Sequence, residues 1–193
     1  MNTSNPLKQP ESTSTGNVLK PVGRLRLNLG CGKDLRAGYI NVDDGSTWND
    51  NLPPNVVIWD LNKFPWPFDD NSADEILMWH VLEHLWDTTR VMREVKRILA
   101  PGGKFWGQVP YGGSRDGWAC WQHYRYFDKS SFPSIAECLG FQLVYSRHGT
   151  TSVNWMHRTR NLIPMPLLEL LAKAGFGEAF NVVDFAMIKP PIR

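Results

Sequence analysis

With 193 residues, the chain has the length of one domain with a full hydrophobic core and is short for two. Its formal net charge of +2 gives no electrostatic reason to expect a membrane surface or nucleic acid as a partner. No apolar run reaches the length of a membrane span, and the three cysteines lack metal-ligand spacing, so a reduced, cytoplasmic protein is expected.

The first 23 residues are rich in Ser, Thr, Asn and Pro and contain few apolar side chains. A segment of this composition cannot bury enough surface to fold. We therefore expect residues 1–23 to be a flexible tail and residues 24–193 to form a single domain.

Residues 25–29 alternate apolar and polar side chains and run into Gly30-Cys31-Gly32, which predicts a strand that ends in a tight turn. Residues 39–42 predict a second strand, closed by Asp43 and Asp44. Glycines let a ligand approach the backbone, and an acid at the tip of the second strand can accept both hydroxyls of a ribose. This layout is typical of nucleotide-binding α/β domains.

Two features disfavour a dinucleotide ligand, and with it a nicotinamide-dependent oxidoreductase. Leu35 stands where the dinucleotide pattern needs a third glycine. Asp43 follows Gly30 by only 13 residues, whereas about 20 are usual in dinucleotide-binding folds.

Apolar periodicity next predicts a helix that Asp87 or Thr88 caps and that Pro101-Gly102-Gly103 ends. Its other face carries charged side chains and is expected to be solvated: Arg93, Glu94, Lys96 and Arg97. The remaining predicted elements are strands at residues 56–59, 74–79, 104–109, 141–146 and 182–188 and helices at residues 131–139 and 167–174. Because helix and strand alternate, we expect an α/β fold with a mostly parallel sheet covered on both faces.

Three segments follow one another in a fixed order: LNLGCG with GYINVD, then HVLEHL after the fourth strand, then ILAPGG before the fifth. They resemble three motifs of the class I S-adenosylmethionine-dependent methyltransferases. The resemblance implies a Rossmann-like fold with seven strands in the order 3-2-1-4-5-7-6, the last of them, residues 182–188, being antiparallel. It also implies S-adenosylmethionine as the cofactor and methyl transfer as the activity.

In that family the glycine turn contacts the methionine half of the cofactor, and the acid after the second strand holds the ribose. The resemblance assigns the ribose to Asp43, or to Asp44 if the register differs by one residue. Asp60 either lies near the adenine amine or caps its loop, and Trp59 or Leu61 could flank the adenine ring. The expected cofactor-binding residues are Asn28, Leu29, Gly30, Cys31, Gly32, Asp43, Asp44, Asp60, Leu61 and His80, with Cys31 a small turn residue and not a nucleophile.

The spacing of His80, Glu83 and His84 also resembles a motif of ubiquinone-pathway and small-RNA O-methyltransferases. Those enzymes carry acid-x-x-Glu-His at this place and bind a divalent ion that holds the acceptor hydroxyl. Here His80 replaces the first carboxylate, and His123 could supply a further ligand. Many methyltransferases with VLEH at this place bind no metal, so no metal is assigned, and metal-assisted O-methyl transfer stays an alternative. An inverted zinc protease motif is disfavoured, because it needs one long helix and a strand ends directly before His80.

The acceptor is expected to bind the loop after the fifth strand, residues 111–128, together with residues 149–180 as a second loop or lid. The candidate acceptor-binding residues are Tyr111, Trp118, Trp121, Tyr124 and Arg125. The segment HYRYF resembles an H-x-R-x-F segment of methyltransferases associated with surface-glycan clusters, which suggests a small molecule or a glycan intermediate as acceptor. His157, Arg158 and Arg160 either pair with an anionic acceptor or face solvent.

The reaction that these motifs predict is in-line methyl transfer, and oxygen is the expected acceptor atom ahead of nitrogen or carbon. A base is needed if the acceptor is a hydroxyl, and His123 is the first candidate and His80 the second, because the unperturbed pKa of histidine lies close to neutral pH. A catalytically inactive S-adenosylmethionine-binding scaffold or sensor is the alternative. It would keep the glycine turn and Asp43 without an enclosed acceptor pocket.

Overall fold

A computed structural model describes residues 24–46, 51, 53–149, 164, 166–167, 170 and 180–191. The expected tail at residues 1–23, the basic cluster of His157, Arg158 and Arg160, and most of the predicted helix at residues 167–174 lie outside the described residues.

Seven strands form one sheet in the order β3-β2-β1-β4-β5-β7-β6, which confirms the predicted topology. β7 pairs antiparallel with both of its neighbours, and the other pairs are parallel. The strands are β1 (Leu25–Leu29), β2 (Ile40–Asp43), β3 (Val56–Ile58), β4 (Ala73–Trp79), β5 (Leu99–Pro110), β6 (Gln142–Gly149) and β7 (Val182–Ile188).

The helical elements are a 3₁₀ turn (Leu82–His84), α1 (Thr88–Ile98), α2 (Arg115–Trp118) and α3 (Ser131–Leu139), and residues 166, 167 and 170 are also helical. α1 begins as predicted, because the side chain of Asp87 accepts a hydrogen bond from the N–H of Arg90 at 2.9 Å. α3 ends at Gly140, whose φ of 67° is the left-handed conformation that glycine adopts at helix ends.

Helix and strand do not alternate throughout, and that part of the sequence prediction was wrong. Residues 30–39 and 59–72 connect strands through turns instead of helices; for the second connection this agrees with Pro65 and Pro67, which predict a rigid loop at residues 61–71. Positive φ angles at Gly30, Gly32 and Gly38 interrupt the first connection, and Pro65 and Pro67 lie in the second.

β5 begins at Leu99, five residues earlier than predicted, so α1 ends before Pro101. Leu99 pairs with Ala73 of β4, and the register then shifts before Lys104 pairs with Glu75. The Pro101-Gly102-Gly103 sequence predicts a break between helix and strand, but pairing with β4 extends β5 back to Leu99. The three residues lie in the irregular part of β5.

The charged face of α1 was predicted to be solvated, but two of its side chains are mostly covered by the loop after β3. Arg97 donates to the carbonyl oxygens of Phe68 at 2.7 Å and Trp66 at 3.1 Å. Glu94 accepts a hydrogen bond from the backbone N–H of Trp66 at 2.8 Å. Arg93 is the exposed residue of this face. Through Glu94 and Arg97, α1 holds the loop that begins at Leu61.

The opposite face of α1 is apolar and packs against β5. Its fully buried side chains are Val91, Met92, Val95 and Ile98, and each contributes about 1.5–3 kcal/mol through burial. On α3, the ring of Phe132 stacks on Phe185 of β7 with 3.8 Å between centroids. None of the described helices combines the length and apolarity that a membrane crossing needs.

Candidate functional site

A cleft of about 570 Å³ opens at the carboxyl ends of β1, β2, β3 and β4. In open α/β sheets this edge is the usual place for ligands. The cleft is lined by Gly30, Cys31, Gly32, Lys33, Asp34, Asp43, Asp44, Ser46, Trp59, Asp60, Leu61, Asn62, Trp79, His80, Val81, His84, Leu85 and Gln122.

The two glycines of the turn after β1 serve different purposes. A Cβ at Gly30 would lie 2.4 Å from Cγ2 of Val81, so Gly30 permits the turn to pack against the chain after β4. A Cβ at Gly32 would meet no atom within 4 Å, and Gly32 lines the cleft. Gly32 therefore keeps the cleft open to a ligand, and the positive φ of both residues favours glycine.

Asp43 is buried at the end of β2, with 6% of its surface exposed. Its Oδ2 accepts a hydrogen bond from the N–H of Gly32 at 2.8 Å, and its Oδ1 accepts one from Gly45 at 3.0 Å. These bonds fix the carboxylate against the glycine turn. Asp44 is exposed, and hydrogen bonding from Ser46 lowers the pKa of its carboxyl.

The thiol of Cys31 is buried between these groups. Burial, together with the charge of Asp43, raises the pKa of Cys31 to about 11. The thiol is therefore protonated at neutral pH and is a poor nucleophile, in agreement with its interpretation as a small turn residue.

Asp60 and Leu61 form the wall that follows β3. Oδ1 of Asp60 accepts a hydrogen bond from the N–H of Asn62 at 2.9 Å, so this side chain caps its loop and lines the cleft at once. The indole of Trp59 donates to the carbonyl oxygen of Lys63 at 3.2 Å, which holds the ring at the same wall.

Asn28 and Leu29, also predicted to bind cofactor, do not line the cleft. Leu29 is fully buried in the core. The Asn28 amide donates to the carbonyl oxygen of Asp34 at 2.7 Å and to Oδ1 of Asn41 at 3.0 Å, so it shapes the glycine turn from within the protein. Asn28 and Leu29 lie inside the buried strand β1, which explains why neither side chain reaches the cleft. The other eight predicted cofactor-binding residues line the cleft.

His80 lies directly after β4 with a φ of 54°, an uncommon conformation for a side chain other than glycine. Its Nε2 is 2.9 Å from Oε1 of Gln108, whose amide nitrogen donates to Asp184 at 2.7 Å. Since the amide oxygen can only accept, Nε2 of His80 carries the proton. Its Nδ1 lies 3.6 Å from Oε1 of Glu83, and this carboxylate raises the pKa of His80.

Glu83 lies in the 3₁₀ turn with 1% of its surface exposed. Among the described residues, no donor reaches either carboxylate oxygen within hydrogen-bond distance. Nε2 of His84 is 3.9 Å from Oε1, and the rings of His84 and His123 have centroids 4.8 Å apart. His123, the first candidate base, thus lies beside a residue of the cleft without lining the cleft itself.

The five predicted acceptor-binding residues lie outside the lining of the cleft. Tyr111 is half-buried against His148, with ring centroids 4.6 Å apart. The other four are exposed: Trp118, Trp121, Tyr124 and Arg125. The loop that carries them still reaches the cleft, because Gln122 lines it and the N–H of Tyr124 donates to the carbonyl oxygen of Glu83 at 2.8 Å.

Several cleft residues were missed at the sequence level. Trp79 could have been found, because it ends a predicted strand at the ligand edge. The others are Lys33, Asp34, Ser46, Asn62, Val81, Leu85 and Gln122. All except Gln122 are chain neighbours of motif residues, and Gln122 reaches the cleft only through the folding of its loop.

Comparison with known proteins finds a family model and several solved structures that are similar to this chain. Residues 14–107 match the family model described as a methyltransferase domain. A Mycolicibacterium smegmatis protein, described as a probable S-adenosylmethionine-dependent methyltransferase, is 31% identical over 94 residues. That alignment covers 47% of this chain and 37% of the relative, so the chain matches little more than a third of that relative's length.

Solved structures share the fold over most of the chain. A SAM-dependent methyltransferase from Archaeoglobus fulgidus is 17% identical with a TM-score of 0.58, and the match covers 86% of each chain. Phosphoethanolamine N-methyltransferase 2 of Haemonchus contortus, in complex with S-adenosyl-L-methionine, is 18% identical with a TM-score of 0.59. That match covers 87% of this chain and 49% of the other.

The family match and the shared fold agree with the motifs found in the sequence. Over residues 14–107 the chain is similar to the methyltransferase domain family, and over most of its length it shares the fold of solved methyltransferase structures.

Proposed function

We propose that this chain transfers the methyl group of S-adenosylmethionine to an oxygen atom of a small molecule or glycan intermediate. The observation that carries the proposal is the carboxylate of Asp43, buried at the end of β2 and tied to the N–H of Gly32 at the head of the cleft. A fixed acid beside an open glycine turn suits a ligand with ribose hydroxyls and a charged amino-acid end.

In this proposal the methionine half of the cofactor lies against Gly32, and the ribose hydroxyls donate to Asp43. The Asp43 oxygens that accept from Gly32 and Gly45 have further lone pairs, so ribose can bind without breaking either backbone contact. The adenine ring then lies along the wall of Asp60 and Leu61.

The methyl group of a sulfonium is already activated, so the protein mainly holds donor and acceptor in line and keeps water out. A hydroxyl acceptor also needs a base. Nδ1 of His123 lies 2.7 Å from the carbonyl oxygen of Gly117, to which it donates, and this leaves Nε2 free to accept a proton. His80 is the weaker candidate, because Glu83 raises its pKa and so favours its protonated form.

The acceptor is proposed to bind along the loop of residues 111–128. Trp118, Trp121 and Tyr124 leave 60%, 89% and 64% of their surfaces exposed, which offers aromatic faces to a sugar ring. Gln122 of the same loop lines the cleft, so an acceptor stacked on the loop would be close to the cofactor.

Calorimetric titration with S-adenosylmethionine and S-adenosylhomocysteine tests the donor site, with NAD as the control ligand. We expect micromolar binding of the first two and none of NAD. Asp43→Asn removes a charged acceptor and should weaken binding by about 10- to 100-fold. Asp44→Asn is the matched control, since it removes the same charge from an exposed neighbour; if it weakens binding instead, Asp44 holds the ribose.

A second candidate is a cofactor-binding scaffold or sensor without catalysis. The observation that favours it is that none of the five predicted acceptor residues lines the cleft. A radiolabelled methyl donor offered with a panel of glycan and small hydroxyl acceptors separates the two functions, because the sensor binds the donor and labels none of them.

A further inference from the structure

The loop of residues 111–128 is closed at its base and is tied to the turn after β4. Its two ends meet where the N–H of Gly112 donates to the carbonyl oxygen of Phe127 at 2.7 Å. Further along, the N–H of Tyr124 donates to the carbonyl oxygen of Glu83 at 2.8 Å. A loop whose ends touch and whose far side is bonded to the protein is held as a compact unit, so its exposed side chains project from a fixed backbone.

The large apolar side chains that this loop exposes are all tryptophan or tyrosine. Trp121 is the most exposed, at 89%, and Trp118, Tyr124 and Tyr126 each leave 60% or more of their surface in solvent. The loop contains no Leu, Ile, Val or Met. Tryptophan and tyrosine combine an apolar ring with a polar N–H or O–H, a combination that is enriched where an apolar phase meets water.

The charged side chains of the loop add a second feature. The carboxylate of Asp116 accepts a hydrogen bond from the side-chain amide of Asn181 at 3.3 Å, and Oδ2 of Asp128 lies 3.0 Å from a histidine nitrogen of β6. Both acids of the loop are therefore bonded to the rest of the protein. Arg115 and Arg125 are exposed, so the loop offers guanidinium groups among its aromatic rings. This surface complements one that carries phosphate groups.

We propose that the loop docks on a lipid bilayer surface with anionic head groups, its aromatic rings in the boundary layer and its arginines on lipid phosphates. The loop has fewer residues than the roughly 20–30 that each side of a stable protein interface uses. A fluid bilayer surface needs no matching shape, so a short projecting loop is enough for weak, reversible attachment. The whole chain, with a net charge of +2, adds little long-range attraction, and the contact depends on this local pattern.

Docking through the loop would bring the mouth of the cleft to the lipid surface. Gln122, the chain neighbour of the exposed Trp121, lines the cleft. A hydroxyl acceptor that carries a lipid tail, such as a lipid-linked sugar, would then reach the methyl donor while its tail stays in the bilayer. This choice of acceptor rests on the proposed function, whereas docking itself does not.

The test is co-sedimentation of the full chain with vesicles of phosphatidylglycerol and phosphatidylcholine in equal parts, with pure phosphatidylcholine vesicles as the control. We expect binding to the anionic vesicles that weakens as salt rises. A chain carrying both Trp118→Ala and Trp121→Ala should bind at least about tenfold more weakly. Arg125→Gln should bind about fivefold more weakly.

The matched controls are Val144→Ala and Arg24→Gln, which should bind vesicles like wild type. Both side chains are exposed. Arg24 directly precedes β1 and Val144 lies in the first half of β6, so both are away from the carboxyl edge of the sheet where the cleft opens. Thermal unfolding and binding of S-adenosylhomocysteine should be unchanged in every variant, because the substituted side chains lie mostly in solvent.

Absence of binding to the anionic vesicles, or equal binding by wild type and the double tryptophan variant, would overturn the proposal. Sedimentation velocity without lipid tests another occupant. A dimer that the double tryptophan variant loses would assign the surface to a second copy of the chain and would also overturn the proposal. Vesicle binding by a wild-type chain that does not bind S-adenosylhomocysteine would contradict only the proposed methyl-transfer function.

Discussion

The carboxylate of Asp43 accepts a hydrogen bond from the backbone N–H of Gly32, with 2.8 Å between Oδ2 and the nitrogen atom. The contact joins the end of β2 to the turn after β1. The carbonyl oxygen of Val42 adds a second link by accepting from the N–H of Cys31 at 2.9 Å. The two halves of the first sequence motif therefore form one rigid corner of the cleft.

Gly32→Ala should weaken binding of S-adenosylmethionine at least about tenfold, because its Cβ would enter space that is open to the ligand. Gly38→Ala is the matched control. Gly38 also has a positive φ and open space around it, but it does not line the cleft. Each variant should lose about 1 kcal/mol of stability from backbone strain, measured by chemical unfolding. Equal loss of ligand affinity in both variants would show that strain, and not the cleft, is responsible.

Cys31 should resist alkylation at neutral pH, because burial raises its pKa to about 11. The exposed thiol of Cys138 is the internal reference and should react first. Mass spectrometry after a timed exposure to iodoacetamide measures both rates in one sample. Labelling of Cys31 as fast as Cys138 in the folded chain would contradict the buried, protonated thiol.

Glu94→Gln should destabilise the chain by about 1–3 kcal/mol at neutral pH, because it breaks charge-assisted bonds to Arg97 and weakens the bond to Trp66. Burial opposes ionisation of this carboxyl, but these hydrogen bonds outweigh it and lower the pKa of Glu94. A lowered folded-state pKa gives stability that is complete above the ordinary value of 4.5 and is lost as pH falls through the folded-state pKa.

The difference in unfolding free energy between wild type and Glu94→Gln should therefore be constant near neutral pH and shrink in acid. Urea titrations at several pH values measure it, with Glu137→Gln as the control on an exposed helix face. A difference that grows as pH falls would contradict the assigned network.

Trp121→Ala should leave stability and cofactor affinity unchanged, because 89% of this side chain is exposed and it does not line the cleft. If the loop stacks on the acceptor, the variant should raise the KM for an acceptor found in the screen. The control is Trp86→Ala, an exposed tryptophan outside the loop. An unchanged KM in Trp121→Ala would remove this residue from the acceptor site.

Local apolar patterns located the individual strands, whereas the strand order and the antiparallel β7 were predicted from the resemblance of the three motifs to a known family. The early start of β5 was missed because it depends on the pairing of Leu99 with Ala73, distant in sequence. The covered face of α1 was missed for the same reason, since its polar side chains bind the backbone of the loop around Trp66.

For the site, the strand-end rule predicted Asp43, Asp60 and His80 in the cleft. The resemblance of the first motif also included Asn28 and Leu29, because a motif of adjacent letters does not reveal which side chains of a strand face inward. The cluster around Glu83 depends on carbonyl groups that orient His84 and His123, and no sequence pattern encodes those contacts.

A crystal structure of the chain with S-adenosylhomocysteine would show directly where the methyl donor binds. We expect the ligand in the cleft, with its ribose hydroxyls on Asp43, its amino-acid end at Gly32 and its adenine beside Leu61. A ligand bound elsewhere, or bound in the cleft without contact to Asp43, would contradict the assignment of this corner as the methyl-donor site.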